Sequence, residues 1–143
     1  MVQLTQSLED YLEAIFIIGQ TKKVVRVKNL MDYFDYKVSS VNHAIKLLSE
    51  MDLIEHEKYG YIELTDKGRD TAGKLYEKHK SLSRFFINIL DIDEKTATED
   101  ACAVEHHLHK QTYQSWYQLL QYMEKTGDGK TFVKNFKKFL KKT

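Results

Sequence analysis

"VSSVNHAIKLLSEMDLIEHEKYGYIELT", residues 38–65, is the stretch on which the fold turns. Val41, Ala44, Ile45, Leu48 and Met51 recur at helical spacing and form one apolar stripe. Ser39 or Ser40 stands at its start as an N-cap. Just before it, "RVKNLMDYF" predicts a shorter helix, with "DYK" as the turn between the two. Two short helices joined by a tight turn, the second opening on small polar residues, read as a helix-turn-helix. Directly after, "LIEHEKYGYIELT" alternates on either side of a "KYG" turn, which predicts a β-hairpin. Helix-turn-helix followed by hairpin is the order of a winged helix, and the combination is more specific than either part.

Upstream, "SLEDYLEAIFIIG" predicts a first helix with Leu8, Leu12, Ile15 and Phe16 on one face. Ser7 is its expected N-cap, Asp10 completes a capping box, and Gly19 ends it. Downstream, Thr65 is a good N-cap for one long helix over "DKGRDTAGKLYEKHKSLSRFFINIL". A further helix is expected through "DEKTATEDACAVEHHLHK", with Ala97, Ala101, Val104 and Leu108 buried. "TYQSWYQLLQYMEK" follows, then "GDG" as a break, then "FVKNFKKFLKK" with Phe132, Phe136, Phe139 and Leu140 on one side and lysines on the other. The Phe face is expected to pack on the dimer domain rather than on a membrane surface. The fold class is therefore mainly α with a small β-hairpin wing. A winged-helix DNA-binding domain is expected over 1–70 and an all-helical domain over 71–143, with the linking helix starting near 66.

The chain has 143 residues, a net charge of +1, 42% hydrophobic residues and 30% charged ones, as in a soluble globular protein. The longest apolar run, "AIFII", is far short of the roughly 20 residues of a membrane span. "MVQLTQSLED" has no basic and apolar leader pattern. The single cysteine rules out an intramolecular disulfide, so a cytoplasmic location is the default. Basic residues cluster: Lys22, Lys23, Arg26, Lys28, Lys37 and Lys46 face only Asp32 and Asp35 in that stretch. Such a patch suits a modest polyanion footprint, although solvated surface is the plainer account of charge alone.

Chemistry concentrates in "EDACAVEHHLH", residues 99–109. Cys102, Glu105 and His106 at i, i+3 and i+4 place a thiolate, a carboxylate and an imidazole on one helical face, with His109 a turn further. A divalent transition ion needs several such donors converging. His79, in the apolar register of the long helix, and Asp10 and Glu13, three apart with no lysine beside them, are further candidates. The plainer alternatives are a buried cysteine, a hydrogen-bonded core histidine and a helix cap. The metallohydrolase pattern His-Glu-x-x-His, the Glu-x-x-His pairs of di-iron bundles and a Gly-rich phosphate loop do not occur, which argues against an enzyme. A winged-helix regulator that senses a small organic ligand without metal is the alternative function.

"SLEDYLEAIF", "VSSVNHAIKLLSEMDLI", "HEKYGYIELTDKG", "KHKSLSRFF" and "DACAVEHHL", in this order over residues 7–123, resemble the diphtheria-toxin-repressor family of metal-dependent transcriptional repressors, especially its manganese-transport-regulator branch. The resemblance implies a repressor that binds double-stranded operator DNA as a homodimer when Mn²⁺ or Fe²⁺ occupies a site between DNA-binding and dimerisation domains. Zn²⁺ or Co²⁺ would be accepted in vitro; no membrane or small-molecule substrate is expected. Carried over by position, it makes Asp10, Glu13, His79, Cys102, Glu105 and His106 the metal ligands. Cys102 stands where many manganese-sensing members have a carboxylate and iron-sensing ones a cysteine, whereas Asp10 agrees with the manganese branch. Asp and Glu favour a hard ion and a thiolate a softer one. Val38 replaces a proline of many relatives, and Ser83 and Thr98 replace an acid and a histidine of the iron branch's ancillary site. For DNA, the exposed start and outer face of the third helix offer Asn42 and His43 to base edges and Ser39, Ser40 and Lys46 to phosphates, with Lys58 and Tyr59 at the wing tip touching backbone.

Overall fold

The computed structural model describes residues 3–57 and 60–142. The chain divides between Tyr76 and Glu77 into two compact units. No helix among the described residues is long and apolar enough to cross a membrane.

The first unit opens with α1 (Gln6–Thr21), which buries Leu8, Tyr11, Leu12, Ala14, Ile15 and Ile18. Its N-cap is Thr5, whose hydroxyl accepts from the Leu8 N–H at 3.3 Å. Ser7, the expected cap, lies inside the first turn, so the helix does not begin on the Ser7–Asp10 capping box. Gly19 lies within the helix, which runs on two residues and closes with Lys22 N–H donating to Ile18 O.

A two-residue strand, β1 (Val25–Arg26), leads into α2 (Val27–Phe34). Asp35 ends α2 in the left-handed conformation, φ 55°. The extended Lys37 then starts α3 (Val38–Glu50). The Lys37 carbonyl accepts from both Ser40 and Val41 N–H, so the backbone fixes the start of this helix. Ser39 and Ser40, expected as caps, therefore sit exposed in its first turn. Val41, Ala44, Ile45 and Leu48 are buried as the periodicity requires.

β2 (Ile54–His56) and β3 (Tyr61–Leu64) form the hairpin. β1 adds to β3, giving an antiparallel sheet of order β1-β3-β2, in which Val25 pairs Ile62 and Arg26 pairs Tyr61. The third strand is an addition to the expected hairpin. Buried side chains from α1, α2, α3 and the sheet, with Ala72, form one core.

α4 (Asp66–Asn88) starts as expected at Thr65, whose hydroxyl accepts from Gly68 N–H at 3.0 Å and donates to Asp52 O at 2.7 Å. Gly68 is required here: a Cβ would lie 1.8 Å from the Leu53 carbonyl oxygen.

In the second unit, α5 (Glu94–Glu105) is capped by Asp93, and α6 (Lys110–Lys125) and α7 (Gly127–Lys141) follow. Ile89, Leu120 and Met123 form its buried cluster with Phe85, Leu90, Trp116 and Val133. Arg84 Nε donates to Glu124 Oε1 at 2.7 Å, which ties α4 to α6 and raises the Arg84 pKa. The expected continuous helix through Lys110 is broken. His106 is the C-cap of α5, residues 107–109 form the connection, and His109 is the N-cap position of α6, so neither it nor Leu108 extends the stripe of α5. "GDG" is not a break either: Thr126 alone separates α6 from α7, its hydroxyl accepting from Gly129 N–H at 2.9 Å. Gly129 and Val133 meet the core side, while within the single chain Phe132 and Phe139 are 58% and 63% exposed and Phe136 and Leu140 are half-buried.

Candidate metal centre and nucleic-acid interface

Helix periodicity puts Asp10 and Glu13 on neighbouring points of α1. Asp10 is half-buried, and Glu13 is only 7% exposed, unusual for a carboxylate.

In the second unit, α4 supplies His79, the last turn of α5 supplies Cys102 and Glu105, and the C-cap supplies His106. Glu105 is 1% exposed. Its Oε2 lies 2.9 Å from His79 Nδ1. Its Oε1 lies 3.2 Å from His106 Nε2 and accepts no hydrogen bond among the described residues. Cys102, though exposed, offers its sulfur within 4.8 Å of donor atoms of Glu105 and His106. Atoms ligating one transition ion at about 2.0–2.3 Å lie up to roughly 4.5 Å apart, close to this spacing.

A buried carboxylate with an oxygen outside any hydrogen bond is costly unless something positive meets it. Its described partners are the imidazole rings of His79 and His106, a residue type that can ligate a metal. With its proton on Nδ1, His79 donates to Glu105 and carries its lone pair on Nε2, the form in which an imidazole can ligate a metal. Thiol, imidazoles and carboxylate together fit a divalent transition ion. His107 and His109 are exposed.

On α3, Ser39, Ser40, Asn42, His43 and Lys46 are all exposed, opposite the stripe that holds the helix to its core. Lys58 and Tyr59 lie outside the described residues. Two features were not singled out from sequence. Tyr33, Tyr36 and Val38 are exposed large side chains around the helix-turn-helix turn. Arg26 is held against Tyr61 at the turn end of the hairpin. The only sequence signal for Arg26 was its place in the basic run.

Two family models cover nearly the whole chain. The iron dependent repressor N-terminal DNA binding domain matches residues 3–62, and the iron dependent repressor metal binding and dimerisation domain matches residues 65–133. The chain belongs to the iron-dependent repressor family. This is the family, named for the diphtheria toxin repressor, that the sequence motifs resemble; it is one of transcriptional repressors and not an enzyme class. An uncharacterised HTH-type transcriptional regulator of Methanocaldococcus jannaschii is 36% identical over 126 residues, 87% of this chain and 98% of that one. The HTH-type transcriptional regulator MntR of Bacillus subtilis is 31% identical over 134 residues, 94% of each chain, which places this repressor on the manganese-regulator side of the family. A solved manganese-dependent transcriptional repressor in complex with manganese matches at TM-score 0.73 and 25% identity, over 80% of this chain and 53% of that one. The match thus spans about half the length of that solved repressor and of the solved T. acidophilum IdeR.

Proposed function

We propose that this chain is a cytoplasmic transcriptional repressor that binds double-stranded operator DNA as a homodimer when Mn²⁺ or Fe²⁺ is held by Asp10, Glu13, His79, Cys102, Glu105 and His106, and that it controls genes of metal-ion homeostasis. The observation that carries the reading is the Glu105 carboxylate, 1% exposed, with His79 on one oxygen and Cys102 and His106 close by. Residues 1–70 serve as the DNA-binding domain and 71–143 as the metal-binding and dimerisation domain.

Without an ion, Asp10, Glu13 and Glu105 are like charges that oppose being gathered together. A bound ion supplies the positive charge that makes gathering them favourable. His79 is oriented by Glu105, and Cys102 adds a soft donor to an otherwise hard set. α3 presents Asn42 and His43 to base edges, and Ser39, Ser40 and Lys46 to phosphates. In a homodimer two such helices must meet successive major grooves, about 34 Å apart. The exposed Leu119, Tyr122, Phe132 and Phe139 supply apolar surface that a second copy can cover.

The test is DNA binding by the full chain in EDTA, Mn²⁺, anaerobic Fe²⁺ and Zn²⁺. Binding at least about tenfold tighter with Mn²⁺ or Fe²⁺ than in EDTA is expected for a coupling of typical size. Equal affinity in every condition overturns the reading and favours a regulator responsive to an organic ligand.

A further inference from the structure

We infer that Arg26 is a phosphate-contacting residue of the DNA-binding unit, held in position by Tyr61. The inference rests on the reading of that unit as a winged-helix DNA binder.

Arg26 is the last residue of β1 and the N-cap of α2. Its neighbour Val25 is buried opposite Ile62, so the alternation of the strand places the Arg26–Tyr61 pair on the outer face of the sheet. There the guanidinium lies over the Tyr61 ring, 4.9 Å from its centroid, and Nη2 donates to the Tyr61 hydroxyl at 3.2 Å. The Arg26 backbone N–H donates to Asn29 Oδ1 at 2.9 Å, so main chain and side chain are both restrained.

Arg26 is exposed, and among the described residues no carboxylate pairs with it. An arginine with a structural role is ordinarily closed by an acid; this one is stacked on an aromatic ring and keeps its net charge. The stacking removes rotamer freedom before any ligand arrives, and the planar fork retains N–H donors suited to a phosphate. Its position adds direction. α2 is the first helix of the helix-turn-helix, the one that crosses the DNA backbone in this motif. Tyr61 directly follows the hairpin turn, where Gly60 adopts φ 85°. Arg26 thus stands where the wing meets the backbone-crossing helix. Lys22, Lys23 and Lys28 flank it in sequence. A phosphate contact adds affinity and salt dependence without adding sequence preference.

The test uses the full chain loaded with Mn²⁺ and a duplex recovered by selection from random DNA with the wild-type protein. Affinity is measured by fluorescence anisotropy across a salt series, beside thermal melting of each variant. Arg26→Ala is expected to bind roughly five- to tenfold more weakly, at every sequence tested, with the salt slope reduced by about one. Arg26→Lys keeps the charge and is expected to keep the slope while losing part of the affinity. Tyr61→Leu is expected to weaken the wild type but to add little in the Arg26→Ala background. Unchanged affinity and slope in Arg26→Ala overturn the inference while leaving the repressor reading intact. So does an Arg26→Lys protein that loses the slope as fully as Arg26→Ala, since that marks a residue acting only by bracing the wing. A wild-type protein that recovers no duplex with any metal overturns both.

Discussion

At the scale of single residues, the proposed centre depends on Glu105. Its carboxylate is buried, one oxygen is engaged by His79 Nδ1, and the other lies 3.2 Å from His106 Nε2 and accepts no hydrogen bond among the described residues. Glu105→Gln keeps the shape and removes the charge. The protein is expected to stay folded, by circular dichroism, and to bind Mn²⁺ at least about tenfold more weakly by isothermal titration, because even outer-shell losses at metal sites cost about 10–100-fold. Unchanged Mn²⁺ affinity would remove Glu105 from the site. Cys102 sets a different property. Its thiolate favours softer ions, so Cys102→Glu is expected to shift the ratio of Mn²⁺ to anaerobic Fe²⁺ affinity toward Mn²⁺; a constant ratio means the sulfur is not a ligand. The Cys102, Glu105 and His106 grouping was legible in the sequence because three residues within one helical turn declare their proximity. The pairing of His79 with Glu105 was not, since it joins α4 to α5 across 26 residues and only tertiary packing creates it.

At the scale of elements, the helix-turn-helix and hairpin were legible because burial leaves its mark on the sequence: period 3.6 in α3, and Ile54 and Ile62 buried beside exposed Glu55 and Glu63 in the hairpin strands. What the sequence concealed were the ends. Thr5 and Ser7 both carry a hydroxyl, and nothing local decides which one caps α1. The break after Glu105 carries no Gly or Pro in "EHHLHK", so no residue marks it. β1 has two residues, too few to show alternation, and exists only through its pairing with β3. Two predictions belong here. Gly68→Ala places a Cβ 1.8 Å from the Leu53 carbonyl oxygen, where backbone rather than a flexible side chain must yield. A loss of about 2–3 kcal/mol in chemical denaturation is expected; wild-type stability would disprove the close approach. Asp93 accepts from Thr96 N–H at 3.0 Å at the start of α5, and these hydrogen bonds hold its pKa below the ordinary carboxylate value. A lowered folded-state pKa means stabilisation present above the unfolded value, about 3.9, and lost as pH falls through the folded one. Asp93→Asn keeps a capping oxygen but cannot titrate. Its melting temperature is expected to fall less steeply than that of wild type as the solution is acidified through this window.

At the scale of the whole molecule, the family models divide the sequence near residue 64 and the compact units divide it at Tyr76, so α4 belongs to both accounts. The two-part organisation was legible from the change from a winged-helix pattern to helices alone. The exposure of Phe132 and Phe139 was not, because an amphipathic helix declares its apolar face but not which surface covers it. Each unit has its own buried cluster, and the proposed ligands come from both: Asp10 and Glu13 from α1, the rest from the second unit. A ligand that binds only folded protein stabilises it by about 2.7 kcal/mol at a concentration 100 times its Kd, which for a chain of this length raises the melting midpoint on the order of 10 °C. Excess Mn²⁺ is expected to raise the midpoint by this order over EDTA. The pH sign follows from the donors. Imidazole must be neutral and the thiol deprotonated to ligate, so protons compete with the ion and the rise is expected to shrink between about pH 7.5 and about pH 5.5. Asp10→Ala combined with Glu13→Ala is the decisive variant, since it leaves the second unit's donors untouched. If α1 contributes ligands, the Mn²⁺-dependent rise collapses toward zero while the EDTA midpoint changes far less. If the full rise survives, the second unit holds the ion alone, and metal has no direct hold on the unit that carries α3.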